Sequence, residues 1–305
     1  IKRKLGEEPF RYYFEIRSGS EVCYYNRCGV SERVVSDSDY VVCPGFRTPK
    51  WAKGAVMYQI FTDRFCNGDP DNDVEDREYY YIGDYSRKVT DWNRYPATMD
   101  VREFYGGDLK GVWDKLDYLQ DLGVEVLYFN PIFVSPSNHK YDIQDYDYID
   151  PHYGVIVEDG GNILAEGDHE NANATKYQKR VTDKKNLEAS NEFFVQFVEE
   201  VHRRGMKVIL DGVFNHCGSF NKWLDRERIY EKQEGYAPGA YVSADSPYRS
   251  YFRFFQEERE RWPYNGSYDG WWGHDTLPKL NYEDSPELEA YIFEIAKKWM
   301  SPPYN

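Results

Sequence analysis

Positive charge is scarce in this sequence: 38 Lys and Arg stand against 53 Asp and Glu, a formal net charge of −15. So acidic a chain lacks the electrostatic footprint of a nucleic-acid binder or of a protein that sits on anionic membranes. Apolar runs are short, and none approaches the roughly 20 residues that span a bilayer. The opening Ile1-Lys-Arg-Lys4 is charged rather than signal-like. Cysteine is limited to five positions (23, 28, 43, 66, 217), an odd number without zinc-type pairing. Free thiols in a reducing, cytoplasmic compartment fit that usage. There are no internal repeats and no low-complexity segments. Aromatic residues are plentiful, at 18% with 29 Tyr and 8 Trp, many of them in polar, loop-like stretches. Rings in loops suit stacking on sugars, whose faces are apolar and whose rims are polar. Ordinary core and interface aromatics give the same composition.

Taken in order, residues 10–43 read as short antiparallel strands: Phe10-Arg-Tyr-Tyr-Phe-Glu-Ile16, Glu21-Val-Cys-Tyr-Tyr25 and Tyr40-Val-Val-Cys43. They are too few for an independent core, so 1–45 reads as the end of a β-sandwich. Residues 46–53 are turn-rich and read as a linker. From residue 54 strands and helices alternate. Ala55-Val-Met-Tyr-Gln-Ile-Phe61 and Val124-Glu-Val-Leu-Tyr-Phe-Asn130 are strand candidates, with a helix over 109–122 between them. A second helix is expected over 187–204, and then the strand Val208-Ile-Leu-Asp-Gly-Val-Phe-Asn-His216. Its aliphatic run predicts a parallel strand buried on both faces, with Asp211, Asn215 and His216 at the carboxyl end. A long irregular excursion over 217–283 precedes a third helix, with Ser285 as N-cap and Pro286 at its first position. The alternation implies an α/β fold with a parallel sheet, either doubly wound or a (β/α)8 TIM barrel. No glycine-rich phosphate loop follows the first strand, which counts against nucleotide binding.

Carboxyl ends of parallel strands are where α/β proteins bind ligands. His139-Lys-Tyr-Asp142 lies in the loop after the second strand, on the same rim as His216. Any one of these residues, taken alone, reads as structural. Their convergence on one rim points to a sugar site, with Tyr141 stacking on a ring and His139 and His216 bonding hydroxyls. Asp211 is the one strand-tip carboxylate and Asp142 a loop carboxylate; both suit orienting roles, and no convincing catalytic pair is present. Asn67-Gly-Asp-Pro-Asp-Asn-Asp73 and Gly106-Gly-Asp108 gather oxygen ligands. They would suit Ca²⁺ or form a solvated acidic turn.

Together these segments resemble the α-amylase superfamily, most closely its neopullulanase, cyclomaltodextrinase and maltogenic amylase group. The resemblance is carried by Tyr58-Gln-Ile-Phe-Thr-Asp-Arg-Phe65, Val124-Glu-Val-Leu-Tyr-Phe-Asn-Pro-Ile132, His139-Lys-Tyr-Asp142, Asp211-Gly-Val-Phe-Asn-His216 and Leu277-Pro-Lys-Leu-Asn281. It implies the first three β/α units of a TIM barrel over 54–216 and 284–305, a domain B over 217–283 and a preceding β-sandwich. It also implies Ca²⁺ held by Asn67, Asp69, Asn72, Asp73, the Gly106 carbonyl and Asp108, and a substrate site of His139, Tyr141, Asp142, Asp211, Asn215 and His216. The implied activity is retaining hydrolysis of α-glucosidic bonds in maltodextrin, cyclodextrin or pullulan, with a homodimer of the full-length protein as a possible assembly. A non-catalytic α-glucan-binding module and an α-glucan transferase are the alternatives.

Two features depart from the group. Thr62 stands where proline is usual, and a polar insertion over 155–185 reads as an added surface hairpin or loop. In the family the nucleophilic Asp, the acid Glu and a third carboxylate follow strand three. They are therefore expected after Asn305, and the chain by itself is expected to be inactive.

Overall fold

A computed structural model describes residues 6, 8–98, 100–255 and 267–305, which fall into two compact units, Ile1–Ala55 and Val56–Asn305. In the first unit, β1 (Phe10–Tyr12) pairs antiparallel with β5 (Tyr40–Val42). The strands β2 (Phe14–Ser18), β3 (Glu21–Asn26) and β4 (Gly29–Ser31) form an antiparallel meander. Tyr12 stacks on Tyr40 with ring centroids 5.2 Å apart. Asn26 alone among this unit's described residues is buried, as expected of so few strands.

The second unit opens with β6 (Met57–Ile60). An irregular segment follows, holding the hairpin β7 (Tyr80–Tyr81) and β8 (Asp84–Tyr85) and the short parallel pair β9 (Arg87–Lys88) and β10 (Glu103–Phe104). Next come α1 (Leu109–Asp114), α2 (Leu116–Asp121) and β11 (Val126–Phe129), and then the antiparallel pair β12 (Phe133–Val134) and β13 (Asp145–Ile149). The helices α3 (Thr175–Thr182) and α4 (Lys184–Arg203), the strand β14 (Lys207–Leu210) and the helix α5 (Pro286–Trp299) complete it. The strands β6, β11 and β14 form one parallel sheet with β11 in the middle, Val126 pairing with both Met57 and Lys207. Leu109, Leu116 and Leu119 from the first helices and Phe194, Phe197 and Val201 from α4 pack into one core with Leu127 and Phe129. Ser285 caps α5 as read from sequence, accepting the Leu288 amide.

The structure departs from the sequence reading in three places. The helix over 109–122 is two helices, because Lys115 leaves helical geometry at φ −102°, ψ 7°. The strand β14 is only partly covered rather than buried on both faces. It lies at the sheet edge, and an apolar groove of about 500 Å³ runs beside it, walled by Phe194, Leu210, Trp299 and Tyr304. Residues 155–174 are irregular and mostly exposed, as a surface loop is, but the insertion then forms α3, a helix with a buried face. Tyr177 and Val181, one turn apart on α3, share a stripe that packs with Tyr79, Phe104 and Phe220 in a second apolar cluster.

Among its described residues the excursion over 217–283 carries little regular structure, yet Trp223, Leu224, Tyr251 and Tyr268 tie it to the main core. Buried Asp225 organises its first turns: Oδ1 accepts the amides of Ile229 (2.7 Å) and Tyr230 (3.1 Å), and Oδ2 has no partner among the described residues. Burial pushes this carboxyl up to about 7. A folded value above the unfolded one gives a contribution that is complete below about pH 4 and lost as pH rises through 7. Asp225→Asn is therefore expected to remove a stability loss on the order of 2–4 kcal/mol between pH 5 and 8. Melting temperatures across that range would check this. Parallel curves for the two proteins would refute it.

Candidate active site

The three parallel strands deliver their carboxyl ends to one rim. The turn after β11 carries Asn130, whose Oδ1 accepts a bond from Gln59 Nε2 of β6 at 2.7 Å. Beyond it the loop folds back on itself at Lys140, a non-glycine residue with φ +58°. Buried Ser137 holds this turn: its hydroxyl donates to Asp142 Oδ1 and lies 3.1 Å from His139 Nδ1. The Tyr141 amide donates to the same His139 nitrogen at 3.0 Å. That bond puts the neutral ring's proton on Nε2, the nitrogen left for a ligand. Burial holds the His139 imidazole below its usual range.

Asp211 follows β14 directly, and its Oδ2 accepts the Tyr141 hydroxyl at 2.7 Å. Burial, with the Asp211 carboxylate beside it, raises the Tyr141 phenol well above its ordinary value, so it remains a donor. His216 Nε2 donates to the Tyr141 carbonyl at 3.0 Å, and its Nδ1 accepts from Asn215 Nδ2 at 2.7 Å. Both ring nitrogens are thus occupied, and burial keeps this imidazole neutral to lower pH. Gly218 passes close beneath: a Cβ there would lie 2.3 Å from the Asp142 carbonyl oxygen. Any larger residue would push the two loops apart. The 277–281 segment runs back along the strand tip, with Leu280 N donating to Asn215 O at 3.1 Å and Cys217 N to Pro278 O at 3.0 Å. It brings up Trp271, which stacks on His216 at 5.0 Å.

The candidate cation residues also converge. Asn67 Nδ2 donates to Asp73 Oδ1 at 2.8 Å. A Cβ on Gly106, itself at φ +80°, would sit 2.2 Å from that oxygen, so only glycine fits. Asp108 accepts the amides of Gly68, Asp69 and Gly111, and burial outweighs these bonds in pushing its carboxyl up to about 6. Asp69 caps its own turn, accepting the Asp71 amide at 3.1 Å. Asn72 donates to the Gly154 carbonyl at 3.1 Å, while its buried Oδ1 has no partner among the described residues. Among those residues no three His, Cys, Asp or Glu side chains group to hold a metal. The cluster is one of mixed amide, carbonyl and carboxylate oxygens.

The family model described as "Alpha amylase, catalytic domain" matches residues 59–170 and 189–303. The chain belongs to the α-amylase family. It is 36% identical to neopullulanase 2 of Thermoactinomyces vulgaris over 84% of its own length and 33% of that protein. It is 32% identical to an amylopullulanase of Thermoanaerobacter thermohydrosulfuricus over 95% of its length and 19% of that protein. The solved type III pullulan hydrolase from Thermococcus kodakarensis superposes with a TM-score of 0.59 at 29% identity, covering 96% of this chain and 43% of that one. The chain thus spans between about a fifth and two-fifths of these relatives, and the fold they share with it is a TIM barrel.

Within this α-amylase-family site the sequence reading missed two groups. Trp271 was legible only as one more aromatic in the excursion. The other is a buried ionic network. Lys140 Nζ bonds Asp150 Oδ2 at 2.7 Å, and Asp150 Oδ1 lies 2.8 Å from His152 Nδ1. His152 Nε2 lies 2.9 Å from Glu78, and Glu78 accepts from Arg180 of α3 at 3.0 Å. The family match omits 171–188, where Arg180 sits. Only the i, i+4 pair Tyr177 and Val181 hinted that this stretch is helical.

Proposed function

We propose that this chain forms the substrate-orienting side of an α-amylase-family glycosidase that hydrolyses α-glucosidic bonds of starch-type glucans. The observation that carries the reading is the half-exposed Tyr141 ring on the barrel rim, pinned by its hydroxyl to Asp211 and by its carbonyl to His216. A fixed aromatic plane with polar groups at its edge matches one sugar ring. Asp211 and Asp142 orient neighbours, so bond cleavage falls to carboxylates outside these 305 residues. An Asp nucleophile and a Glu acid would act with retention. In this reading 217–283 is domain B, and the groove beside β14 receives the next barrel strand. Five unpaired thiols support a reducing, cytoplasmic setting.

The test is paired. The 305-residue chain is expected to bind maltotriose and to release no sugar from maltodextrin or pullulan. Turnover would overturn the division of labour, and absence of binding would overturn the function.

We further propose that Asn67, Asp69, Asn72, Asp73, the Gly106 carbonyl and Asp108 hold Ca²⁺. The orphaned, buried Asn72 Oδ1 fits a hard cation. The ion would supply a fixed positive charge joining the loop after β6 to the start of α1. Calcium at 100 times its Kd is expected to add about 2.7 kcal/mol of stability, and Asp73→Ala to abolish the response. A melting temperature unmoved by calcium or chelator would refute the site.

A further inference from the structure

A polar cavity of about 480 Å³ lies off the rim, where the β7–β8 turn, residues 169–171, residues 226–228 and residues 275–276 meet. That volume is in the range of sites for small organic ligands, about 300–1,000 Å³. Its chemistry is specific. Tyr80 presents an aromatic wall stacked on His169 with ring centroids 4.3 Å apart. Across from it stand charges of both signs, Arg226 and Arg228 with Glu170, Glu227 and Asp275. Arg226 is paired with Asp275, Arg228 with Glu231 at 3.0 Å, and Glu227 accepts from Asn171 Nδ2 at 3.0 Å. A lining of mixed sign does not single out an ion of either charge. It offers many fixed donors and acceptors beside an aromatic plane, which is what a neutral polyhydroxylated ligand needs. Two lining residues, Ile82 (φ +47°) and Arg228 (φ +58°), are held in left-handed geometry that non-glycine residues avoid. Such strain persists where surrounding structure fixes a binding wall. Buried Tyr81 lines the cavity too, its phenol raised well above its ordinary value by burial and then by the Asp142 charge. The family match breaks off at residue 170, in this wall.

We propose that this cavity is a second binding site for a short neutral oligosaccharide, an α-glucan segment on the function proposed above, formed by the 155–185 insertion facing the 217–283 excursion. It would hold chain remote from Tyr141 and so favour longer or branched glucans. His169 and Arg228 are both exposed, so truncating them does not threaten the core. Maltotriose titrations by calorimetry would compare the unsubstituted chain, the Tyr141→Ala variant and the His169→Ala/Arg228→Ala double variant, with folding checked by circular dichroism. The unsubstituted chain is expected to show two sites. Tyr141→Ala should keep the cavity component, and the double variant should lose it by about tenfold or more. Loss of all binding in Tyr141→Ala, with the double variant unchanged, would overturn this proposal and leave the glycosidase reading intact. No binding by the folded unsubstituted chain would overturn both.

Discussion

Replacing Arg180 with methionine is expected to cost about 3–5 kcal/mol, the range for removing one partner of a buried ion pair. The guanidinium is 2% exposed and every donor is used. It bonds the Asp73 carbonyl (2.9 Å), Glu78 (3.0 Å), Glu75 (3.0 Å) and Asp159 twice (2.9 and 3.0 Å). Of these acceptors Glu78 is fully buried. Burial alone would raise its carboxyl, but His152 and then Arg180 more than offset this and hold it below the usual range. Such a group contributes stability above its unfolded value, about 4.3, and loses it as pH falls. His152 runs the other way. Burial would lower it, yet Glu78 and Asp150 hold it raised, so its contribution fades as pH rises.

Without Arg180 the buried Glu78 charge keeps only the His152 contact against it, and the deficit should be largest near neutrality and shrink towards pH 4, where Glu78 can protonate. Thermal melts at both pH values would show it. An equal deficit at each would mean that Arg180 acts through packing alone. Adding Glu78→Met to Arg180→Met is expected to restore part of the loss, because both charges then leave the interior.

That network shows which features a single sequence exposes. The strand tips were readable because a β-branched run ending in Asp211, Asn215 and His216 has one plausible use, and α5 was readable because Ser285 and Pro286 begin it and Leu288, Ile292 and Ile295 repeat at helical spacing. Their information is local. Arg180 lies in a polar stretch and takes its meaning from Glu75, Glu78 and Asp73, about a hundred positions away, so nothing near it separates a buried cation from a solvated one. The exposure of β14 was hidden for a related reason: Val208, Ile209 and Leu210 have the character of a doubly covered strand, and covering depends on neighbours outside the run. The rim residues His139, Tyr141, Asp142, Asp211, Asn215 and His216 do come together. What motif spacing could not say is that His216 has both nitrogens committed to Tyr141 and Asn215, which makes it a positioning group for the platform.

Tyr141→Ala is expected to weaken maltotriose binding at the rim by about 10- to 150-fold, the equivalent of roughly 1.5–3 kcal/mol of lost ring burial. Two milder substitutions divide that loss. Tyr141→Phe keeps the plane and forfeits the bond to Asp211, which should cost about 1 kcal/mol, or roughly fivefold. Asp211→Asn keeps an acceptor for the phenol and should cost less than either. The order Ala, Phe, Asn follows from stacking as the main term and the hydroxyl as its anchor. If Phe were as damaging as Ala, the Asp211 bond would be the main term, with Tyr141 serving as a strut between the loop after β11 and the tip of β14. The protonation states make a second, independent demand. The Tyr141 phenol is raised, and the imidazoles of His139 and His216 are lowered. All three should therefore stay neutral from mildly acidic to mildly alkaline conditions. Rim affinity should be flat over that interval. A step near the ordinary histidine value, about 6.5, would mean that a charged imidazole faces the sugar, contrary to the hydrogen bonds that fix both rings as neutral donors through Nε2.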